Sequence, residues 1–144
     1  MAALSNSPSE IITQLLIDLS LATDAGTWPV FADFAPESPD NLISIFTTPS
    51  RLQGKDHVVG DVAEHNGFQV SVRSSSFSPG DQKARTIADS FDSLKSQEVT
   101  YDGSSYILSS ITRRTGILNP TRNVEDSRRN LFTFNCTTTI RQTS

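Results

Sequence analysis

Two segments of the chain place apolar residues on one face of a helix. The first, at about residues 8–23, carries a single apolar stripe made of Ile11, Ile12, Leu15, Leu16 and Leu19. Ser7 and Glu10 are spaced to form a capping box, and Pro8 suits the first helical position. Gly26 offers a stop. The pattern predicts a capped N-terminal helix.

The second helical pattern covers about residues 79–95. Its apolar positions recur every three or four residues and are Ala84, Ile87, Ala88, Phe91 and Leu94. The start, Ser78-Pro79-Gly80-Asp81, repeats the capping chemistry of the first helix. This segment is predicted to be an amphipathic helix that packs against a sheet.

Period-two alternation predicts strands elsewhere. Residues 68–74 alternate most cleanly, and their apolar face consists of Phe68, Val70 and Val72. The apolar run at 42–46 indicates another strand. Residues 99–101 and 106–111 flank the turn Asp102-Gly103 and predict a hairpin.

A long final strand is predicted at 131–141. One of its faces carries Phe132, Phe134, Cys136 and Ile140. The other carries Thr133, Asn135, Thr137, Thr139 and Arg141, a polar row that suits either an exposed sheet face or a subunit contact. Cys136 is the only cysteine, and its place on the apolar face favours a small buried side chain over a reactive thiol.

Two stretches lack a sustained period. Residues 48–67 contain three glycines, one proline and mixed charges, which predicts a long flexible loop that orders on assembly or is merely mobile. The polar stretch at 116–130 is predicted to bend at Asn119-Pro120 and to stay exposed.

The length and composition fit one α+β domain over residues 1–144, with a mainly antiparallel sheet packed against a central helix plus an N-terminal helix. Apolar residues make up 35% and charged residues 19%, against usual shares of about 45–50% and about 25%. Ser, Thr and Asn fill the difference. A broad uncharged polar surface of this kind can pair with a neighbour at little desolvation cost.

Targeting signals are lacking as well. No apolar run approaches the roughly 18 residues of a membrane span, and the first residues do not have the basic start and apolar stretch of a signal peptide. We therefore expect a protein that is made and kept in the cytoplasm, without a membrane partner.

The net charge of -4 is unevenly distributed. Residues 1–64 carry nine acidic and two basic side chains, a balance of -7, whereas 65–144 carry seven and ten, a balance of +3. Such asymmetry suits head-to-tail contacts between identical subunits, although solvated charge without a partner remains the alternative. The chain as a whole lacks the basic excess of a nucleic-acid-binding domain.

The sequence offers no convergent set of reactive groups. The two histidines, His57 and His65, have acidic neighbours, but a fixed metal-ligand spacing is missing and two surface histidines are the simpler interpretation. The glycines lack the spacing of a phosphate-binding loop. We predict no catalytic residue, metal ligand or cofactor, and thus no enzyme.

One cationic cluster is visible, made of Arg113, Arg114, Arg122, Arg128 and Arg129. These side chains flank the predicted bend. They can meet DNA phosphates, the acidic surface of a neighbour, or only water.

The order of these elements resembles that of the tail terminators and related tail-to-head joining (minor capsid) proteins of long-tailed bacteriophages. Three pieces carry the resemblance: the strand-to-helix unit from 68–77 to 84–88, the bend at 116–120, and the closing Arg129-Asn-Leu-Phe-Thr-Phe-Asn135. Together they span about residues 65–140, and the N-terminal helix adds weaker support.

The resemblance implies a structural virion protein at the head-tail interface. Such a subunit would form a homo-oligomer, a hexameric ring that caps the tail tube, halts its elongation and forms the joint to the head. Its partners would be the tail tube protein, a head-completion protein and the genomic DNA that passes through the ring. On this model the 48–67 loop, with Arg51 and Lys55, would reach the lumen or a partner, and the 113–129 region would contact the next subunit or the tube.

Two alternatives remain from the sequence alone. A head-side neck or connector completion protein would have a similar fold. A small nucleic-acid-binding module would use the arginine cluster and would bind duplex DNA with a steep salt dependence.

Overall fold

Two helices and seven strands make up the part of the chain that the computed structural model describes, which is residues 5–22, 28–37, 40–55, 62–119 and 130–143. In chain order the elements are α1 (Pro8–Asp18), β1 (Val30–Ala32), β2 (Leu42–Lys55), β3 (Val62–Ser74), α2 (Phe77–Ser93), β4 (Gln97–Tyr101), β5 (Ser104–Leu108), β6 (Thr112–Arg113) and β7 (Asn130–Gln142). The predicted α+β fold is confirmed.

The strands form one sheet in the order β1-β2-β3-β7-β5-β4, and β6 also pairs with β7. Only the β1–β2 pair is parallel among the described strands. The last strand, β7, pairs with β3 over residues 130–139. Along its other edge it pairs successively with Leu118, β6 and β5. Consequently β7 joins the two halves of the sheet.

The loop predicted at 48–67 is wrong for most of its length, because β2 continues to Lys55 and β3 begins at Val62. Two register shifts in the β2–β3 ladder, at Thr48/Arg51 and Leu52/Lys55, explain why the alternation of side chains was not visible. Backbone pairing persists through these irregularities although the period of two does not. Residues 56–61, with His57, lie outside the described residues.

A single cluster of buried apolar side chains joins both helices to one face of the sheet. The strand residues in it are Val30, Ile43, Ile45, Phe68, Val70, Val72, Val99, Tyr106, Leu108, Phe132, Phe134, Cys136 and Ile140. Phe91 of α2 packs edge-on against Phe68 and Phe134, with ring centroids 5.9 and 6.5 Å apart. Full burial of a side chain of this size contributes about 1.5–3 kcal/mol. The predicted burial of Cys136 is confirmed.

Helix α1 begins as predicted but ends early. The Ser7 side chain accepts from the Glu10 amide, and the Glu10 carboxylate accepts from the Ser7 amide, so the capping box is present. The helix stops at Asp18 instead of 23, because Ser20 adopts a left-handed conformation (φ 60°). The amides of Ser20 and Leu21 then donate to the Ile17 and Leu16 carbonyls, the two bonds of a Schellman motif. The proposed stop, Gly26, lies outside the described residues.

Helix α2 starts two residues before its predicted position. Ser76 is the N-cap and makes no side-chain capping bond, so Ser78 is not the cap. Pro79 is tolerated in the first turn because amides there have no acceptor within the helix. Gly80 lies where α2 crosses β7: a Cβ there would come within 2.7 Å of both Phe132 Cε2 and Ser74 Cβ. The missing side chain allows this close approach.

The hairpin at Asp102-Gly103 is confirmed, with both residues at positive φ. Strands β1 and β6 were not predicted, since three and two residues are too short for a period to be visible. Within the described ranges, no helix has the length and apolarity needed to cross a bilayer.

Replacing Gly80 with alanine should destabilise the protein by roughly 1–2 kcal/mol. Alanine gains about 1 kcal/mol of helix propensity, but a methyl group 2.7 Å from two packed atoms should cost about 2–3 kcal/mol, the upper part of the usual range for overpacking. Phe132 is 1% exposed and has little room to move. Urea unfolding measures the difference. Gly116→Ala is the matched control, because a Cβ there meets nothing within 4 Å. Equal or higher stability of Gly80→Ala would refute the close approach.

The capping box should make stability depend on acid pH. Hydrogen bonds from the Ser7 side chain and backbone, and a further one from the Tyr101 hydroxyl, hold the pKa of Glu10 below its usual value of 4.5. A depressed pKa stabilises the fold above the unfolded-state pKa, and this stability is lost as pH falls through the folded-state pKa. Glutamine keeps the acceptor of the capping box and removes only the charge, so Glu10→Gln should cost roughly 0.5 kcal/mol at pH 7 and progressively less towards pH 3. Urea unfolding at several pH values measures the difference in stability between variant and parent. A difference that is the same at every pH would contradict the prediction.

Candidate interaction surfaces

Two of the predicted arginines lie at β6, where their side chains already have partners. Arg113 forms two contacts to the Asp92 carboxylate of α2, with Nε–Oδ1 and Nη2–Oδ2 distances of 3.1 and 2.9 Å. Arg114 donates through Nε to Thr137 Oγ1 at 3.1 Å. Both pairs lie at the surface, so each is worth at most about 1 kcal/mol and leaves the outer side of the guanidinium accessible.

The other predicted residues do not join this pair. The backbones of Arg51 and Lys55 lie in β2, and Arg51 is in register with Thr139 through β3. Arg113 is in register with Cys136. Arg51 is therefore separated from Arg113 by three strand spacings across the sheet and by three residues along β7. The distance between the two backbones is roughly 17 Å. Arg122, Arg128 and Arg129 lie outside the described residues.

The ends of β2 and β3 separate from the rest of the sheet, because β7 pairs with β5 beyond Thr139. The last β3–β7 pair is His65 with Thr139, whereas β2 and β3 continue to pair as far as Lys55 and Val62. Among the described residues, 51–55 and 62–64 therefore pair only within the β2–β3 ladder. We call these residues the β2–β3 arm. A two-stranded ribbon alone is marginally stable in water. Its edges have no further strand partner among the described residues and are suited to pairing with another chain.

A groove with a mixed apolar and polar lining opens between the start of α2 and the segment that pairs with the edge of β7. This β7-edge groove has a volume of about 440 Å³ and is lined by Phe77, Asp81, Arg85, Ile117, Leu118, Asn119 and Phe132. Phe77 and Leu118 are 53% and 57% exposed, and the Phe77 ring packs edge-on against Phe132 with centroids 5.4 Å apart. The ion pair between Arg85 and Asp81, 3.0 Å, supplies its polar lining. The packed rings of Phe77 and Phe132 thus form part of the wall of the groove, and the groove is open to solvent.

Across the sheet from this groove, Phe34 presents a third large apolar side chain, 58% exposed. The preceding residue, Asp33, has a φ of 55° and turns the chain away from β1. Its carboxylate accepts from the Ser9 hydroxyl and from the Thr47 amide. The Phe34 carbonyl accepts from Ser44 Oγ at 2.9 Å, and its ring contacts the edge of Phe31. Phe34 is therefore fixed in an exposed position.

The segment that follows Phe34 is held by Arg73 of β3. The Arg73 guanidinium donates to the carbonyls of Pro36, Glu37 and Asp40, at 2.6, 3.1 and 3.3 Å. These bonds tie the segment across the face of the sheet opposite the helices. Arg73 thus has a structural role, whereas the sequence pattern identified it only as a polar strand position.

The described residues give no reactive constellation. Burial raises the pKa of the Cys136 thiol to about 12, so the thiolate nucleophile is suppressed at neutral pH. No group of three or more His, Cys, Asp or Glu side chains comes together as a metal site within the described ranges. The surfaces available for function are therefore the β6 arginines, the β2–β3 arm, the β7-edge groove and Phe34.

Sequence reasoning found the charged candidates and missed the apolar ones. Phe77 lies between the strand predicted at 68–74 and the helix predicted at 79–95, and Leu118 lies in the stretch 116–130 that was predicted to stay exposed. No period assigned either residue to a face. Phe34 lies in an irregular segment between prolines, where exposure is not encoded in local sequence. Only an indirect indication was available: each of the three is a large apolar residue that lies outside every predicted core position.

A family model described as bacteriophage tail terminator protein matches residues 15–140. Among solved structures, a chain of the virion of a native gene transfer agent (GTA) particle has a similar fold, with a TM-score of 0.59. It is 17% identical and the match covers 99% of this chain and 100% of that chain. A second structure, 16% identical over 81% of each chain with a TM-score of 0.42, is too distant to support an argument. No curated protein sequence matches the chain.

These matches confirm the resemblance that the sequence suggested. The family match includes all three pieces that carried it: the β3-to-α2 unit, the 116–120 segment and the start of β7. The predicted bend at Asn119-Pro120 lies partly outside the described residues. The structural match supports the fold alone. The chain therefore belongs to the bacteriophage tail terminator protein family, and it is a structural protein of the virion tail.

Proposed function

We propose that six copies of this protein form a ring that caps the finished tail tube, stops its elongation and forms the joint to the head. The observation that carries the proposal is the family match over residues 15–140. The partners are the tail tube protein below the ring, a head-completion protein above it, and genomic DNA that passes through its lumen. The role is structural, without catalysis or cofactor.

The chain acts in this assembly as one unit. One buried cluster links α1, α2 and the sheet, which favours a single domain over residues 1–144. The unequal charge of residues 1–64 and 65–144 supports head-to-tail contacts, because different surfaces of neighbouring copies would then carry opposite charge.

The β2–β3 arm is the part of the subunit best suited to reach the lumen or a partner. It extends past the last β3–β7 pair and carries Arg51 and Lys55, two cationic residues at sequence positions within β2. An arm with unpaired strand edges gains hydrogen bonds when another chain adds to it. Cationic residues would also suit the acidic surface of a neighbour or passing DNA phosphates.

The β6 surface is the second contact region of the proposal. Arg113 and Arg114 would meet the next subunit or the tube, and Arg122, Arg128 and Arg129 follow closely in sequence. The charge of Arg113 is partly offset by Asp92. This pairing weakens the alternative of a nucleic-acid-binding module, which relies on uncompensated cationic charge.

Deleting the gene in the phage that encodes this chain should yield abnormally long or uncapped tails, and the intact chain supplied in trans should restore their length. Electron microscopy of purified tails measures the length distribution. Without a terminator, tube subunits continue to add. Tails of normal length beside unattached heads would instead assign the protein to the head side of the neck and refute the tail-capping role.

The arm has its own test, the double substitution Arg51→Ala/Lys55→Ala. Complementation with this variant should restore fewer capped tails than the parent chain does, because the arm loses both charges while the buried cluster keeps all of its residues. Lys95→Ala removes one cationic side chain from an exposed position after α2, outside the arm, and should complement fully. Normal capping by the double variant would exclude a contact role for Arg51 and Lys55.

A further inference from the structure

The exposed apolar side chains of the subunit lie at two separate places. Among the described residues, the large hydrophobic side chains that are exposed are Phe34, Phe77 and Leu118. Two of them line the β7-edge groove, and the third is Phe34. A soluble surface has many single exposed apolar residues, but an aromatic ring and a groove on the same subunit form a potential complementary pair.

These two features lie at opposite sides of the sheet. Backbone pairing sets Ser44, Ser71, Thr133 and Leu118 in one row across β2, β3, β7 and the adjoining segment. Phe34 is hydrogen-bonded to Ser44 at the start of that row, and Leu118 lies at its end. Three strand spacings, about 14 Å, separate Ser44 from Leu118. A subunit therefore cannot insert its own Phe34 into its own groove.

The groove has the size and chemistry to accept an aromatic ring. A dry apolar cavity of about 150 Å³ is enough to bind benzene, and the groove measures about 440 Å³. The rings of Phe77 and Phe132 supply edges and faces for a third ring. The backbone at Phe34 is held by the hydrogen bonds of the Asp33 carboxylate and of the Phe34 carbonyl, so little backbone entropy is lost when the ring binds.

The surrounding charges also match. Exposed Asp33, Glu37 and Asp40 surround Phe34 in sequence and belong to the half of the chain with a balance of -7. The charged lining of the groove is the Arg85–Asp81 ion pair, which has no net charge, but Arg85 is its more exposed member, 66% against 25%. An acidic segment that approaches the groove would therefore meet the guanidinium of Arg85 first.

We propose that Phe34 of one subunit inserts into the β7-edge groove of the next copy of this chain. The contact joins different surfaces of two identical subunits, so it repeats head-to-tail and generates a ring when the rotation between copies closes. This inference deepens the proposed ring and rests on it. The occupant of the groove is thus a second copy, not the tube protein or a small ligand.

Cross-linking in assembled tails tests the contact directly. Tails are produced by the deletion phage complemented with Phe34→Cys/Leu118→Cys, and the native Cys136 is buried. Treatment with a short bismaleimide should give a ladder of multiples of the 15.7 kDa chain. The single variants Phe34→Cys and Leu118→Cys should each stay at the mass of one chain, because every contact in the ring then holds only one introduced thiol.

A second variant tests the energetic role of the contact. Phe34→Ala should keep the stability of the parent in urea unfolding, apart from the loss of the Phe31 contact, but should weaken association between subunits by roughly 30-fold or more, as for an anchoring aromatic residue. The readout is the fraction of capped tails as the concentration of the complementing chain is varied. Thr100→Ala, at an exposed position on β4, is the control.

The outcomes separate this contact from the function on which it rests. Normal capping without a ladder, or dimers of a single cysteine variant, would overturn the contact and leave the terminator role intact. A ladder from a chain that neither caps tails nor limits their length would support the contact and overturn the proposed function. Unchanged capping by Phe34→Ala at limiting concentration would also overturn the contact.

Discussion

The pairing of β7 along both of its edges is the constraint on which the rest of the structure depends. β3 occupies one edge over ten residues, while Leu118, β6 and β5 follow each other along the opposite edge. One face of β7 packs Phe132, Phe134 and Cys136 under α2. Because β7 contributes to both the hydrogen-bond ladder and the core, the position of every interaction surface is set relative to this strand.

The elements that sequence patterns predicted well are those whose burial follows a regular period. Residues 68–74 and 131–141 alternate because one face is covered by helices, and 84–94 repeat every three or four residues for the same reason. The β2–β3 arm was missed because its ladder contains two register shifts. The hydrogen bonds between β2 and β3 there are not accompanied by a regular alternation of apolar and polar residues in the sequence.

Helix ends and interaction surfaces were predicted less well, because tertiary contacts decide them. Ser20 ends α1 in a left-handed conformation. A glycine at this position would have indicated such a helix end from the sequence, whereas a serine does not. At α2, the helix begins at Phe77 with Ser76 as its N-cap, although the local Ser-Pro-x-acid motif predicted a start after Ser78. Arg113 and Arg114 could be named from the sequence, but the groove could not, since its walls come from three separate segments.

The rigidity of the sheet links the fold to assembly. Phe34 and the groove are attached to one row of paired strands, so their separation within a subunit is set by strand spacing and not by a flexible linker. A closed ring needs the same rotation at every contact, since a variable rotation gives an open or irregular assembly. Contacts presented at fixed positions of one sheet meet that requirement. The β2–β3 arm, which pairs only within the β2–β3 ladder among the described residues, would be better suited to contacts that form after the proposed ring is complete.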